Sequence, residues 1–282
     1  MSNNFHFGTV GSPITTPKKP GGSLGAIQQI ASLGLDTLEL GWVQSVRVSE
    51  ETCLAIALEA QKHDIQLSVH APYYINLNAT SEEWPKSRQR LMDAAYYGAL
   101  AGATDIIFHP GSYFTASPAD VLKVAIPRLA DCVAELAAKK IKVTLRPETM
   151  GKAALLGSLE DTLQMSQAVP GVIPCIDFAH LHARTGGGSL NSYEEWTHLL
   201  EYYASLLGEP SLQHLHIHLS GIEYSLKGER NHLPLLESDF AYPQLLRALA
   251  DMNCGGRILC ESPIMEEDAL LLRDTWQSIA RN

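Results

Sequence analysis

Three histidines occupy alternate positions in the segment LQHLHIHLSG, residues 212–221, with leucine or isoleucine between them. Successive side chains of a β-strand point to opposite faces, so His214, His216 and His218 are expected to share one face. Such a row suits hydrogen-bonded interior groups. It also suits metal ligation, because neutral imidazole is a common metal ligand in proteins. The alternation alone predicts a strand with one polar face and leaves both roles open.

Five further predicted strands end in a histidine, an aspartate or a glutamate. These residues are His70 in SVHA, His109 in IIFHPG, Glu148 in RPET, Asp177 in CIDFAH and Glu261 in CESP. Carboxylates that converge without compensating cations repel each other and take raised pKa values. Divalent cations remove this repulsion, and mixed nitrogen and oxygen ligands suit Zn²⁺, with Mn²⁺ or Fe²⁺ as alternatives. The ligand candidates outnumber the positions around one tetrahedral ion, so we predict a cluster of two or three ions.

Short aliphatic runs alternate with amphipathic helical segments, and these elements must bring the polar strand ends together. The predicted strands lie near 5–10, 36–42, 65–71, 104–109, 141–148, 172–177, 212–219 and 256–262. Eight strand–helix units in 282 residues are typical of a single α/β domain, a (β/α)₈ TIM barrel whose strands all end at one mouth. A doubly wound open sheet is the alternative, but GTVGSPITTPKKPGG after the first run does not match a GxGxxG turn. We therefore expect one barrel domain over residues 1–282.

The composition limits the kinds of partner and the cellular compartments that we expect for this protein. The formal net charge of −10 argues against a protein that holds nucleic acid by overall charge, although bound cations would offset nearby carboxylates. The five cysteines form no CxxC pair, which indicates a reducing compartment. The sequence has no secretory signal and no run of about 18 apolar residues, so we expect a cytoplasmic protein without a membrane span.

Six motifs follow one another along nearly the whole chain: SVHAPYYINL, IIFHPGSY, RPETMG, CIDFAHLHA, HIHLSG and CESP. In sequence and order they resemble the endonuclease IV family, the metal-dependent apurinic/apyrimidinic endonucleases of the xylose isomerase-like barrel superfamily. The resemblance implies a DNA-repair enzyme that binds two or three Zn²⁺ ions. Such an enzyme hydrolyses the phosphodiester on the 5′ side of an abasic site with a metal-bound hydroxide. The resemblance also implies duplex DNA with abasic sites as the partner and a monomer as the functional form.

Matched motif by motif, the resemblance implies three metal positions. The first is held by His70, His109 and the bridging Glu148, the second by Glu148, Asp177, His216 and Glu261, and the third by His180 and His232. Glu148 is the implied catalytic residue, because a bridging carboxylate can orient the attacking water and help to remove its proton.

The third metal position departs from the family pattern, which has an aspartate two residues before the histidine. This chain has Arg230 there, and the neighbouring Glu229 is the alternative ligand. Arg230 could instead contact a phosphate, since a guanidinium binds phosphate with two parallel hydrogen bonds. His218 and Leu219 also stand where the family has Asn-Asp. His218 is therefore expected at the rim as a substrate contact, or as the ligand in place of His216 if the register is shifted by two residues.

Loops at the barrel mouth are expected to contact DNA or another substrate. The candidates are Tyr73, Tyr74 and Asn76 after the third strand, and Arg47 after the second. Tyrosine can stack on a base or fill an unstacked step, although packing beside the site accounts for the two tyrosines equally well. Arg47 could equally be a solvated surface charge.

A sugar isomerase or epimerase on the same barrel, using a divalent metal, is the main alternative. Such enzymes usually bind one Mn²⁺, Mg²⁺ or Co²⁺ ion through a Glu–Asp–His–Glu set. Glu148, Asp177, His216 and Glu261 would provide that set. The remaining histidines discriminate between the hypotheses, because a one-metal isomerase does not need them. A non-catalytic metal-binding module is a third hypothesis, but it gains nothing from open coordination positions.

Overall fold

The computed structural model describes residues 5–280, and its central element is a barrel of eight parallel strands. In chain order the strands are β1 (Phe5–Val10), β2 (Thr37–Gly41), β3 (Gln66–His70), β4 (Ala103–Phe108), β5 (Thr144–Pro147), β6 (Cys175–Asp177), β7 (Leu215–Leu219), the hairpin strands β8 (Gly221–Ser225) and β9 (Gly228–Leu233), and β10 (Gly256–Cys260).

Neighbouring barrel strands follow the order β5-β4-β3-β2-β1-β10-β7-β6. Two isolated parallel bridges, Leu145–Val172 and Glu148–Cys175, connect the two ends of this order and nearly close the barrel. The predicted (β/α)₈ fold is therefore confirmed. Residues 1–4 and 281–282 of the predicted domain lie outside the described residues.

Helices cover the outside of the barrel. They are α1 (Gly22–Ser32), α2 (Glu50–His63), α3 (Trp84–Leu100), α4 (Pro118–Ala138), α5 (Leu159–Ala168), α6 (Phe178–Arg184), α7 (Tyr193–Leu207), α8 (Tyr242–Asp251) and α9 (Glu266–Ala280). Before α2, α4, α5 and α7 a serine hydroxyl accepts a backbone N–H of the first turn, so these helices begin where the sequence provides an N-cap. Within residues 5–280 no helix has both the length and the apolar character needed to cross a membrane.

Strand β7 shows how the alternating sequence divides the barrel interior from the outer core. Ile217 and Leu219 are fully buried in the hydrophobic core, whereas His216 and His218 point into the barrel toward Glu39 of β2. His214 precedes the strand, at the end of a 3₁₀ turn (Glu209–His214), and is exposed. The expectation that His214 shares one strand face with His216 and His218 is wrong, because the extended backbone begins one residue later.

The antiparallel hairpin of β8 and β9 extends from β7 over the mouth, a feature that the sequence pattern does not predict. It docks on the loop after β5, where the backbone N–H of Glu229 donates to the carbonyl of Gly151 at 2.9 Å. Gly228 has a φ of +93°, and a Cβ there would lie 2.3 Å from that carbonyl oxygen, so the close approach requires glycine. This docking carries Glu229 and His232 to the mouth.

Candidate metal centre

Imidazoles and carboxylates from six barrel strands and the hairpin converge at the carboxyl ends of the strands. Their potential ligand atoms form three groups, and within each group they lie within 4.8 Å of one another: His70, His109 and Glu148; Glu148, Asp177, His218 and Glu261; and Asp177, His180, His232 and Glu261. Because the middle group shares a member with each of the others, the three groups form one continuous cluster.

Glu148 lies at the centre of this cluster and is fully buried. Its Oε2 is 3.3 Å from the Nε2 atoms of both His70 and His109, and its Oε1 is 3.4 Å from the Nδ1 atoms of His180 and His218. Burial opposes ionisation, but the surrounding imidazoles, His109 foremost, hold the pKa of Glu148 well below its usual range. Glu148 is therefore a carboxylate that belongs to both of the first two groups, which is the position a bridging ligand would need.

Besides Glu148, the middle group contains the carboxylates of Asp177 and Glu261. Burial raises the pKa of Asp177 to about 6 against the opposing charge of His180, and its Oδ2 is buried without a hydrogen-bond partner. Glu148 Oε1 is also buried and without a hydrogen-bond partner. Buried acceptors without partners are rare in folded proteins, because each loses its hydration without replacement. These oxygens, with the converging imidazoles, fit a divalent cation bound through nitrogen and oxygen atoms.

The structure places His218, and not His216, in the middle group. His218 pairs in register with Asp177 at the end of β6, whereas His216 pairs with Cys175 one layer deeper. The deeper Nε2 of His216 lies 2.9 Å from Glu39 Oε2, and burial lowers the pKa of His216 to about 4. On β7 it is therefore His218, two residues after the His216 that the motif match implies, that lies among the other potential ligands at the rim. The register-shift alternative, in which His218 takes the place of His216, matches the geometry.

Cys175, His216 and His218 form a further group of potential ligand atoms in this deeper layer. Burial strongly raises the pKa of the Cys175 thiol, which disfavours the thiolate that metal binding requires. His218 is also shared with the middle group at the rim. The deeper layer is therefore better suited to supporting the mouth than to binding an ion of its own.

Two histidines of the third group face each other through their Nε2 atoms at 3.3 Å. His180 Nδ1 donates to the backbone carbonyl of Thr149 at 2.9 Å, and His232 Nδ1 donates to that of Glu261 at 3.1 Å. A carbonyl can only accept, so both Nδ1 atoms carry hydrogen and both Nε2 lone pairs point at the same space. Either a proton or a bound cation must lie between them, and this arrangement fits a metal ion.

The side chains of Glu229 and Arg230 point in different directions, one toward the third group and the other away from it. Glu229 Oε2 lies 3.6 Å from His180 Nε2, and its side chain is 18% exposed. Arg230 is 58% exposed and pairs with Glu223 on the facing hairpin strand, with Nη1 2.8 Å from Oε1. Arg230 therefore points away from the cluster, and the neighbouring carboxylate of Glu229 points toward it.

In the first group, the ring of His70 is oriented by the backbone carbonyl of the next residue, Ala71. Its Nδ1 donates to the carbonyl of Ala71 at 3.0 Å, which leaves Nε2 free to face Glu148. Burial opposes protonation of His70, but the contact with Glu148 outweighs it and raises the pKa to about 9. The same negative potential that holds this proton would attract a cation.

A cavity of about 630 Å³ opens beside His109 and is lined in part by Tyr73, Tyr74, Asn76 and Phe114. Tyr73 stacks on the ring of His109, with centroids 4.8 Å apart, and is 47% exposed. Tyr74 is 57% exposed and Phe114 is 68% exposed. The side-chain oxygen of Asn76 accepts backbone N–H groups of Asn78 and Ser112, so this residue braces the loops around the cavity. Arg47 is exposed in the loop after β2 and does not line this cavity.

Glu39 belongs to the site but is not among the polar residues at the strand ends. It lies inside β2, is fully buried, and contacts both histidines of β7. Its Oε2 accepts a hydrogen bond of 2.7 Å from Ser68 on β3. The signal was present in DTLELGW, where a glutamate alternates with two leucines and so must share the inward face of its strand.

Comparisons with known proteins agree with this architecture. An uncharacterised protein of Methanocaldococcus jannaschii is 38% identical over 97% of this chain and 97% of its own length. Endonuclease 4 of Thermus thermophilus is 27% identical over 57% of this chain and 60% of its own. The solved endonuclease IV structure from that organism matches with a TM-score of 0.74 at 21% identity over 98% and 99% of the two chains. A D-tagatose 3-epimerase-like protein matches with a TM-score of 0.73 at 17% identity over 98% of both chains.

The two TM-scores are nearly equal, so the fold does not distinguish the two kinds of relative. The sequence likeness to Endonuclease 4 agrees with the motif resemblance. The model of the family described as xylose isomerase-like TIM barrel matches residues 27–280. The chain belongs to the xylose isomerase-like TIM barrel family.

Proposed function

We propose that this protein is a zinc-dependent DNA-repair endonuclease that hydrolyses the phosphodiester on the 5′ side of abasic sites. The observation that carries this proposal is the number of imidazoles in the cluster. Two lie with Glu148 on one side of the middle group, and two lie with Asp177 and Glu261 on the other. A cluster of two or three ions can hold both the attacking and the leaving oxygen of a phosphodiester.

The orientation of these histidines supports the proposal. His70, His180 and His232 each donate Nδ1–H to a backbone carbonyl, which fixes the ring and leaves Nε2 free. Their free nitrogens face the carboxylates or each other. Hydrogen-bonded interior histidines would not need this shared direction.

The residues of the cluster would be assigned to three metal positions. His70 and His109 would hold the first ion together with Glu148; Asp177, His218 and Glu261 would join Glu148 at the second; and His180, His232 and Glu229 would hold the third. When bound, the ions would lower the pKa of water and offset charge on the phosphate. Glu148 would orient the attacking water through the oxygen that has no hydrogen-bond partner. In the free protein Arg230 is paired with Glu223, and a phosphate contact would require that pair to open.

The exposed aromatic residues beside the first group would bind the DNA around the lesion. Tyr73, Tyr74 and Phe114 offer rings on which bases could stack, and such stacking does not depend on overall positive charge. This suits a chain whose formal net charge is −10. We expect Arg47, exposed after β2, to lie near a phosphate of the same DNA.

A sugar isomerase or epimerase is the second candidate, and two observations favour it. Glu148, Asp177, His218 and Glu261 form a complete Glu–Asp–His–Glu set for one divalent ion. The cavity of about 630 Å³ beside His109 is also large enough for a small sugar. In that case the remaining histidines would contact substrate instead of metal.

The test uses one preparation of the protein loaded with Zn²⁺ and a parallel one loaded with Mn²⁺. Metal content per chain is measured, and each preparation is assayed on an abasic duplex oligonucleotide and on ketoses. Two or three zinc ions with nicking of the duplex support the proposal. One ion, no nicking and epimerisation of a ketose would reject it in favour of the second candidate. The expected monomer is checked by light scattering of the same samples.

A further inference from the structure

We propose that Glu39 is the positioning residue that fixes the ring of His218, so that Nδ1 of this ring faces the metal ions. The inference rests on the metal-binding part of the proposed function. It concerns how the site is built, and it holds whether the substrate is DNA or a sugar.

Glu39 occupies the layer directly beneath the mouth. Its Oε1 lies 3.1 Å from His218 Nε2, and its Oε2 lies 2.9 Å from His216 Nε2 and 2.7 Å from Ser68 Oγ. Glu39, Ser68 and His218 are fully buried, and His216 is 1% exposed. The carboxylate therefore reaches across the barrel from β2 to β7, with one oxygen for each histidine.

Two buried atoms in this arrangement face each other without completing a hydrogen bond. Neither Glu39 Oε1 nor His218 Nε2 has a hydrogen-bond partner among the described residues, although they are 3.1 Å apart. The distance is short enough, so the angle is what fails. A small rotation of the imidazole ring would align the N–H with the carboxylate. Leaving both atoms unpaired would cost free energy, so the contact must close in some state of the protein.

The surroundings of Nδ1, the other ring nitrogen of His218, indicate that the contact closes in the metal-bound state. Its Nδ1 lies 3.4 Å from Glu148 Oε1 and 3.4 Å from Glu261 Oε1, and it has no hydrogen-bond partner either. If Nε2–H donates to Glu39, the lone pair of Nδ1 is left to point between these two carboxylates. A metal-binding histidine commonly donates its second N–H to a carboxylate, which sets the tautomer and makes the ligand more basic.

A purely structural role explains this placement less well. A buried carboxylate is costly, and apolar side chains of similar size often stabilise a fold as well as a buried ionic group does. Glu39 lies between Leu38 and Leu40, both buried in the hydrophobic core, so the strand itself packs through its other face. The carboxylate is thus not needed to anchor β2.

The experiment measures Zn²⁺ affinity of the metal-free protein by chelator competition, together with the visible spectrum of the Co²⁺-loaded protein. Glu39→Leu removes the acceptor, and Glu39→Gln keeps an acceptor of the same size without the charge. The matched control is Ser68→Ala, which removes the hydrogen bond from Ser68 Oγ to Glu39 Oε2 and leaves Oε1 facing His218. We expect Glu39→Leu to weaken the affinity of one metal position about 10–100-fold. Glu39→Gln should fall between it and the wild type, and Ser68→Ala should match the wild type.

Thermal unfolding of each metal-free variant separates positioning from stability. A Glu39→Leu protein that unfolds cooperatively and keeps wild-type Zn²⁺ affinity and Co²⁺ spectrum overturns the proposal. If that variant does not fold, ¹⁵N NMR of the Cd²⁺-loaded wild type decides. A proton on Nε2 of His218 and cadmium coupling to Nδ1 support the proposal, and the reverse assignment overturns it. None of these measurements uses DNA, so a failure to cleave abasic sites would reject the proposed function and leave this inference standing.

Discussion

Replacing His218 or His216 by asparagine tests the arrangement of the two histidines on β7. His218 Nδ1 lies 3.4 Å from both Glu148 Oε1 and Glu261 Oε1, whereas His216 Nε2 lies 2.9 Å from Glu39. Asparagine can place its amide near the position of Nδ1, but it has no imidazole nitrogen with which to bind a cation. The middle group would lose its only imidazole and retain three carboxylates.

The magnitude follows from the place of each ring. Changes to residues that support a metal ligand cost about 10–100-fold in affinity, so loss of the ligand His218 itself should cost at least about 100-fold. That factor corresponds to about 2.7 kcal/mol. His216→Asn should leave metal affinity within about threefold. It should lower the free energy of unfolding by about 1–3 kcal/mol, because the buried Glu39 loses the hydrogen bond from His216.

Two assays are needed: Zn²⁺ binding by chelator competition, and urea unfolding of the metal-free proteins. We expect His218→Asn to lose metal affinity and keep its stability. We expect His216→Asn to lose stability and keep its metal affinity. If His216→Asn lost the metal and His218→Asn kept it, the register assigned to β7 would be refuted.

Three further predictions concern the other parts of the site. Glu148→Gln should reduce the rate of hydrolysis by about 10²–10⁴-fold, which is the contribution expected of a positioned acid–base group. Steady-state cleavage of an abasic duplex measures this rate, and an unchanged turnover would contradict the bridging role of Glu148. Glu229→Gln should lower the zinc content per chain while Arg230→Ala leaves it unchanged, as elemental analysis would show; the opposite order would place the arginine, and not the carboxylate, at the third position. Tyr73→Ala should weaken binding of an abasic duplex by about 1–3 kcal/mol without changing metal content, as fluorescence anisotropy would show. Equal binding by the variant would assign this tyrosine to packing against His109.

Much of the fold can be predicted from two features of the sequence. Alternating aliphatic residues predict the strands, and the repetition of eight strand–helix units in 282 residues predicts the barrel. The barrel in turn explains why residues as distant in sequence as His70 and Glu261 share one cluster, since all carboxyl strand ends meet at one mouth.

The position of the ligand on β7 could not be read in the same way. An alternating pattern looks the same after a shift of two residues, so it cannot say which of two inward histidines reaches the rim. The strand boundary decides this, and it depends on the 3₁₀ turn that ends at His214. The sequence pattern does not predict the hairpin because its second strand, GERNHL, has four successive polar residues and no alternation. Glu39 lies inside β2 and not at its end, so the pattern of polar strand ends does not include it.

The most direct test of the proposed endonuclease activity is the position of cleavage in a duplex with one synthetic abasic site and a label at either end. The Zn²⁺-loaded protein should produce a single nick on the 5′ side of the lesion, leaving a 3′-hydroxyl, and Glu148→Gln under the same conditions should not. An intact duplex after prolonged incubation with fully metal-loaded protein would contradict the account, as would a nick on the 3′ side of the lesion.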